Sequence, residues 1–171
     1  MAKRKTGRKT AEKRKTAQAA AQTQLLSVIW FAVSVLLLFI VFIKGENFWT
    51  KIHNFIFGIF GVTAFFYPFL LGFVAIISAM DKMASSIKAK IIEANIIVVL
   101  IGSCVDIFSA HTADTFWQHL SAAYTAGISL KSGGFLGALV GQPIFLAFGK
   151  TGAAITVILL IFVLVMILTG T

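Results

Sequence analysis

The triplet Gly149-Lys150-Thr151 is the stretch of sequence closest to a known chemical site, because Gly-Lys-Thr ends a Walker A phosphate-binding loop. That loop needs another glycine five residues before its Gly-Lys pair, and Ile144 occupies the position. A Walker A loop also follows a buried strand, whereas this triplet lies between two apolar stretches. We therefore interpret Gly149 and Gly152 as a helix break, with the Lys150 side chain extending to the aqueous surface.

Carboxylates and histidines could support acid-base or metal chemistry, but their spacing argues against both. Glu93 and Asp106 are 13 residues apart, which is about 20 Å along a helix, so they cannot act as a carboxylate pair. Four residues near one another in sequence could bind a metal, but they lack both a helical His-His spacing and a cysteine partner. These four are Asp106, His111, Asp114 and His119. With Cys104 as the single cysteine, we predict no catalytic residue, no metal, no cofactor and no internal disulfide.

The amino-acid composition is that of a membrane protein, which fits the lack of catalytic motifs. Apolar residues make up 58% of the chain and charged residues 12%, and the mean hydropathy is +0.94. These values lie outside the usual range of a soluble domain. The chain is therefore expected to be an integral membrane protein.

Four apolar runs could each supply a helix that crosses about 30 Å of hydrocarbon. Pro68 is expected to bend the second run, and Glu93, Asn95 and Asp106 make the third the weakest. The sequence thus predicts an all-α, polytopic membrane domain over residues 25–171, with four transmembrane helices. The predicted spans are residues 25–43, 58–80, 91–108 and 152–169.

The distribution of basic residues predicts the orientation of these spans. Eleven of the 15 Lys and Arg residues lie before the first span or between the second and third, and four lie in the other two loops. Basic residues favour the cytoplasmic side. Both termini are therefore expected to be cytoplasmic, with short helices on the outer side before spans 2 and 4. The outer loop, residues 109–132, could lie on the membrane surface or contact a partner.

Residues 1–24 form a basic segment without an apolar face, and we predict a disordered cytoplasmic tail. It does not resemble a secretory signal, because no small-residue cleavage site ends it. The tail could contact anionic lipid headgroups or, without sequence preference, nucleic acid. Its basic residues are Lys3, Arg4, Lys5, Arg8, Lys9, Lys13, Arg14 and Lys15.

Glycines at short intervals occur twice, each time beside an aromatic and proline cluster, as if the chain contained two similar hairpins. Such spacing lets helix backbones approach closely in lipid. The contacts could form within one chain or between chains, and we predict a role in oligomerisation. The glycines are Gly58, Gly61, Gly133, Gly134, Gly137 and Gly141.

A lysine-rich start, four apolar runs and the closing stretch GGFLGALVGQPIFLAFGKTGAAITVILLIFVLVMILTG resemble the N-terminal membrane domain of the FtsK/SpoIIIE family of bacterial DNA translocases. Residues 57–61, Phe-Gly-Ile-Phe-Gly, are similar to the second helix of that domain. The resemblance covers residues 25–171.

The resemblance implies a homo-oligomeric, hexameric anchor in the bacterial inner membrane at the division septum. It would contact cell-division proteins and hold an ATP-driven motor that moves DNA during chromosome partition. The motor, with its ATP, Mg²⁺ and DNA binding, has no counterpart in these residues, so this chain is not expected to be an enzyme. The chain would then be either the membrane part of a longer protein, whose reading frame continues past Thr171 into the motor, or a motorless relative.

Two other functions fit a small polytopic membrane protein. A holin-like or pore-forming protein would permeabilise the membrane on expression. A small transporter would change the accessibility of Glu93 or Asp106 with substrate, because ionisable residues within spans often mark transport pathways.

Overall fold

The computed structural model describes residues 24–80, 85–109 and 115–169. The predicted basic tail, except for its last residue, and the candidate metal ligands His111 and Asp114 lie outside these ranges. Every regular element within them is helical, which confirms the all-α prediction. The elements are α1 (Gln24–Phe42), α2 (Phe48–Phe60), a 3-10 turn (Gly61–Phe65), α3 (Tyr67–Ala79), α4 (Ser85–Phe108), α5 (Phe116–Ile128) and α6 (Gly134–Thr169).

Three helices of the described chain are long and apolar enough to cross a membrane: α1, α4 and α6. A fourth span is present if α2, the 3-10 turn and α3 are counted as one, since they pass the same test together but are bent by 75°. The predicted span 58–80 therefore begins inside α2 and ends beyond α3. The bend falls at residue 66, two residues before Pro68, so the second run bends beside this proline as predicted. Pro68 itself lies in the first turn of α3, where its missing N–H interrupts no helical hydrogen bond.

The end of α1 is capped by two side chains of α2. The last carbonyls of a helix have no partner within the helix and need one elsewhere. Trp49 Nε1 donates to the Ile43 carbonyl at 2.8 Å, and His53 Nδ1 donates to the Ile40 carbonyl at 2.6 Å. The His53 ring also packs on Phe57, which is buried with Ile40 in an apolar cluster. These contacts join α1 and α2 into a tight hairpin.

We expect His53→Phe to destabilise this hairpin by about 1 kcal/mol. Phenylalanine keeps the ring that packs on Phe57 but leaves the buried Ile40 carbonyl without its donor. Unfolding by SDS in mixed micelles, followed by circular dichroism, measures the loss. His53→Gln is the matched control, because its amide can still donate, and it should retain more stability than His53→Phe. Equal stability of His53→Phe and the wild type would contradict the capping role.

Helices α4 and α6 form the most extensive helix pair of the described residues. The backbone of α6 is non-helical at Gly149, with φ 67° and ψ 177°, a conformation that essentially only glycine adopts. In a straight helix Val140 and Ile161 would be about 30 Å apart, yet both pack against one apolar cluster. Residues from both halves of α6 therefore contribute to one cluster with Leu100 and Ile107 of α4. The buried residues of the cluster are Leu100, Ile107, Ala153, Ala154 and Val157.

Helix α5 lies within the loop predicted to be on the outer side and packs on α2, α6 and the 3-10 turn. Its buried residues Leu120 and Ala123 meet Ala138 of α6. The opposite side is open, and Trp117 is 71% exposed. Helix α5 is thus amphipathic and covers the point where α2, α4 and α6 meet.

Candidate functional site at the helix junction

Six glycines come together where the 3-10 turn, α4, α5 and the start of α6 meet, and we call this set the glycine junction. Its closest approach joins α4 to the residues before α6: a Cβ at Gly133 would lie 1.8 Å from the Gly102 carbonyl oxygen. A Cβ at Gly137 would lie 2.7 Å from the same oxygen. Backbone therefore packs directly on backbone. The members are Gly61, Gly102, Gly127, Gly133, Gly134 and Gly137.

Gly61 and Gly134 face each other at the centre of the glycine junction. Both have positive φ, 55° and 73°, which favours glycine because it lacks a Cβ. A Cβ on either residue would lie 2.4 Å from the backbone nitrogen of the other. The Val62 N–H donates to the Ser132 carbonyl at 3.2 Å beside them. The two glycine repeats noted in the sequence thus meet each other in the folded chain.

The other predicted packing glycines also contact their own chain. Gly58 lies under the Tyr124 ring of α5, and Gly141 lies against Ser103 of α4. The predicted oligomerisation through the glycines stays a prediction. Of the two glycines assigned to a helix break, Gly149 is at the bend of α6, whereas Gly152 lies inside the helix and packs on Phe148.

A buried polar network lies beside the glycine junction and is centred on Asp106, which is 2% exposed. His119 Nε2 donates to Asp106 Oδ2 at 2.9 Å, and Ser132 Oγ donates to Oδ1 at 3.1 Å. The Ser132 hydroxyl also accepts a hydrogen bond from the Gly134 N–H at 3.1 Å. One carboxylate therefore ties α4 to α5 and to the turn that begins α6.

This arrangement does not activate a nucleophile. In a serine hydrolase the hydroxyl donates to a histidine, which a carboxylate orients. Here the Ser132 hydroxyl and the His119 ring both donate to the same carboxylate. Among the described residues no group of three potential metal ligands forms. The network is suited to holding helices in place, because a buried carboxylate with several donors fixes the positions of all of them.

In the sequence, Asp106 and His119 were considered as metal ligands, and Asp106 also as a residue of a transport pathway, but the two were not paired. A signal was available, because a carboxylate inside a predicted span needs a partner. Ser132, Gly102 and Gly127 were missed. Ser132 lies 26 residues from Asp106 in sequence, so no local pattern connects them. A single glycine in an apolar or loop stretch does not indicate which residues it packs against.

Comparison with protein families identifies the same region. Residues 47–171 match the family model described as the 4TM region of DNA translocase FtsK/SpoIIIE. The match includes the 3-10 turn, the whole glycine junction and the Asp106 network. Comparisons with curated proteins and with solved structures found no match. Since the family model covers most of the chain, the resemblance seen in the sequence is confirmed: the chain belongs to the FtsK/SpoIIIE family through its membrane region.

Proposed function

We propose that this chain anchors a DNA-translocating motor in the bacterial inner membrane at the division septum. The observation that carries the proposal is the family match over residues 47–171, which coincides with the closely packed part of the structure. Three helices, or four with the bent pair, provide the membrane attachment. The motor, with its ATP and DNA binding, belongs to other parts of a full-length family member, and its role is in cell division and chromosome partition.

The packing of the junction supports a role in bearing load. A motor that pulls DNA exerts an equal and opposite force on its anchor, so the anchor needs elements that do not slide past each other. Backbone contacts at Gly102 and Gly133 leave no flexible side chain to deform. The Asp106 network adds a hydrogen bond from α5 and a second one from the turn that holds Gly133. Closely packed interiors transmit strain rather than absorb it.

We also propose that both termini lie in the cytoplasm and that the chain forms an oligomer, a hexamer by analogy with the family. The excess of basic residues before α1 and between α3 and α4 supports this orientation. Reporter fusions after Glu46, Ser85, Thr125 and Thr171 test it. Cytoplasmic signal is expected at Ser85 and Thr171 only, and cytoplasmic signal after Thr125 would contradict the orientation.

A replacement experiment tests the anchoring function. In a bacterium whose own translocase lacks its membrane region, this chain is fused in front of the remaining motor. We expect the fusion to gather at septa and to restore chromosome partition, whereas an unrelated four-span anchor of similar length should restore membrane attachment only. Equal performance of the two anchors, or dye entry into cells that express the chain alone, would contradict the proposal.

A further inference from the structure

A groove with a volume of about 420 Å³ runs between α1, α3 and the first half of α4. Helix α3 is joined to α1, where Ser34 Oγ donates to the Pro68 carbonyl at 2.8 Å, whereas α4 packs extensively on α6. A gap is therefore left between α3 and α4. Its walls are almost entirely apolar, with Leu37, Leu70 and Ile91 as examples from the three helices. Since α1 and α4 are candidate spans, the groove faces hydrocarbon when they cross the membrane.

The groove has the size of one acyl chain of a phospholipid. A water molecule in the liquid takes up roughly 30 Å³ and a methylene group nearly the same, so a volume of about 420 Å³ holds about 14 methylenes. Trp30 and Val33 on its rim are 45% and 40% exposed, so the groove is accessible from the side. A flexible chain follows such walls, whereas a helix about 10 Å wide would fill the whole volume with a single turn.

The lining residues show which end of the groove lies near the membrane surface. Helix α3 ends and α4 begins within six residues of each other, so Val74 and Ile91 lie at the same end. The Ser34 hydroxyl lies beside Gly72, so Trp30, about one turn earlier in α1, lies at this end as well. In the orientation proposed above, this end faces the cytoplasm.

A basic residue stands at the cytoplasmic end. Lys88 precedes Ile91 by three residues and Asn95 by seven, which places all three on one side of α4. The Lys88 side chain is exposed and forms no ion pair with another residue that the structure describes. The amide of the groove, on Asn95, lies at the far end and donates to the Ile91 carbonyl of its own helix at 3.1 Å. The groove thus combines an apolar channel with an unpaired positive charge at its cytoplasmic end.

We infer that the groove binds one anionic phospholipid of the cytoplasmic leaflet. One acyl chain lies between α1, α3 and α4, and the Lys88 ammonium pairs with the phosphate. Basic residues beside crevices between spans bind lipid headgroups on the cytoplasmic side, and a long lysine side chain reaches them from within the span. A zwitterionic lipid brings its own cation, which competes with Lys88 for the phosphate. The inference rests on the orientation included in the proposed function and adds a ligand that fills the gap between α3 and α4.

Native mass spectrometry of the full chain tests the headgroup contact. The chain is delipidated in mild detergent and titrated with phosphatidylglycerol or with phosphatidylcholine of identical acyl chains. We expect the first phosphatidylglycerol to bind about fivefold more tightly, the factor for one basic residue at an anionic surface. Lys88→Gln should remove this preference. Lys90→Gln is the matched control, because Lys90 is also exposed but lies nearly opposite Lys88 on the helix, and it should keep the preference.

A larger side chain in the groove tests where the acyl chain lies. Val74→Trp places an indole between α3 and α4, and it should weaken the binding of both lipids about tenfold or more, because a filled cavity resists further packing. Ile76→Trp is the control, since Ile76 is 52% exposed on α3 outside the groove and should bind lipid as the wild type does. Circular dichroism checks that both variants fold. If Val74→Trp does not, the comparison of Lys88→Gln with Lys90→Gln decides.

Several results would overturn the inference. Equal binding of the two lipids by the wild type, or a preference that both lysine variants lower equally, would remove the role of Lys88. Lipid binding unaffected by Val74→Trp would place the lipid elsewhere on the surface. Lipid-free dimers that Val74→Trp disrupts would assign the groove to a second copy of the chain. A reporter signal that places Ser85 outside refutes the proposed orientation together with the leaflet, whereas absent lipid selectivity refutes only the lipid site.

Discussion

Gly133→Ala is expected to destabilise the membrane domain by about 3 kcal/mol, the upper part of the range for inserting a methyl group into a packed interior. The added Cβ would lie 1.8 Å from the Gly102 carbonyl oxygen and 2.8 Å from the Gly102 Cα. Both atoms belong to backbone, so no rotamer change can relieve the overlap. The start of α6 must then move away from α4, and the Ser132 hydroxyl moves with it away from Asp106.

A graded series of alanine substitutions makes this expectation sharper. The nearest backbone atom to the added Cβ is 1.8 Å away at Gly133, 2.7 Å at Gly137 and 3.1 Å at Gly141. The loss of stability should therefore fall in that order, with Gly141→Ala close to the wild type. SDS unfolding in mixed micelles, monitored by circular dichroism, measures all three. The reverse order, or a Gly133→Ala variant as stable as the wild type, would mean that α4 and α6 do not pack through these glycines.

Gly149→Ala tests the cost of backbone strain alone, because an added Cβ at this position would overlap no other atom. No atom lies within 4 Å of an added Cβ there, but φ is +67°. The expected cost is about 1–3 kcal/mol from conformation alone. Because the bend separates the two halves of α6, this variant should loosen the cluster around Val157 while leaving the Gly102–Gly133 contact in place. A disulfide between Gly102→Cys and Gly133→Cys cannot be used to follow this contact, because neither position tolerates a side chain. Hydrogen exchange of the α4 amides is measured instead.

The sequence predicted the parts of this fold that depend on local composition. Long apolar runs identify α1, α4 and the second half of α6, because a helix that spans lipid must be apolar along its length. The unusual backbone at Gly149 is also local, since one glycine between two apolar stretches can end a helix. Family membership followed from the same local patterns and was confirmed by the match over residues 47–171.

Contacts between distant segments could not be predicted in the same way. Gly102 looks like any small residue of a span, and its importance comes from Gly133, 31 residues later. The 3-10 turn before the 75° bend is held by the contact of Gly61 with Gly134, 73 residues later. Asp106 was considered as a metal ligand, and its burial is explained by donors from α5 and from the turn before α6. Contacts of this kind are determined by tertiary packing and not by the periodic pattern of apolar residues in the sequence.

Asp106→Leu and His119→Leu are each expected to destabilise the domain by about 2–3 kcal/mol, because removing one partner leaves a buried polar group without its hydrogen bond. The Asp106 carboxylate is 2% exposed and accepts from both His119 and Ser132. Removing it affects two donors, so Asp106→Leu should cost more than His119→Leu. Asp106→Asn is the matched control: it keeps the shape and one carbonyl acceptor and should cost less than Asp106→Leu.

The double variant Asp106→Leu/His119→Leu decides whether the pair acts as a unit. With both polar groups gone, the remaining penalty is that of Ser132 and of imperfect packing, so the double variant should be more stable than the sum of the single losses by about 1–3 kcal/mol. SDS unfolding of the wild type, the two single variants and the double variant, all at one pH and salt concentration, gives the coupling energy between the two side chains. Additive losses would show that His119 and Asp106 stabilise the fold independently. A coupling of the expected size would mean that His119 and Asp106 act as a pair that ties α5 to α4.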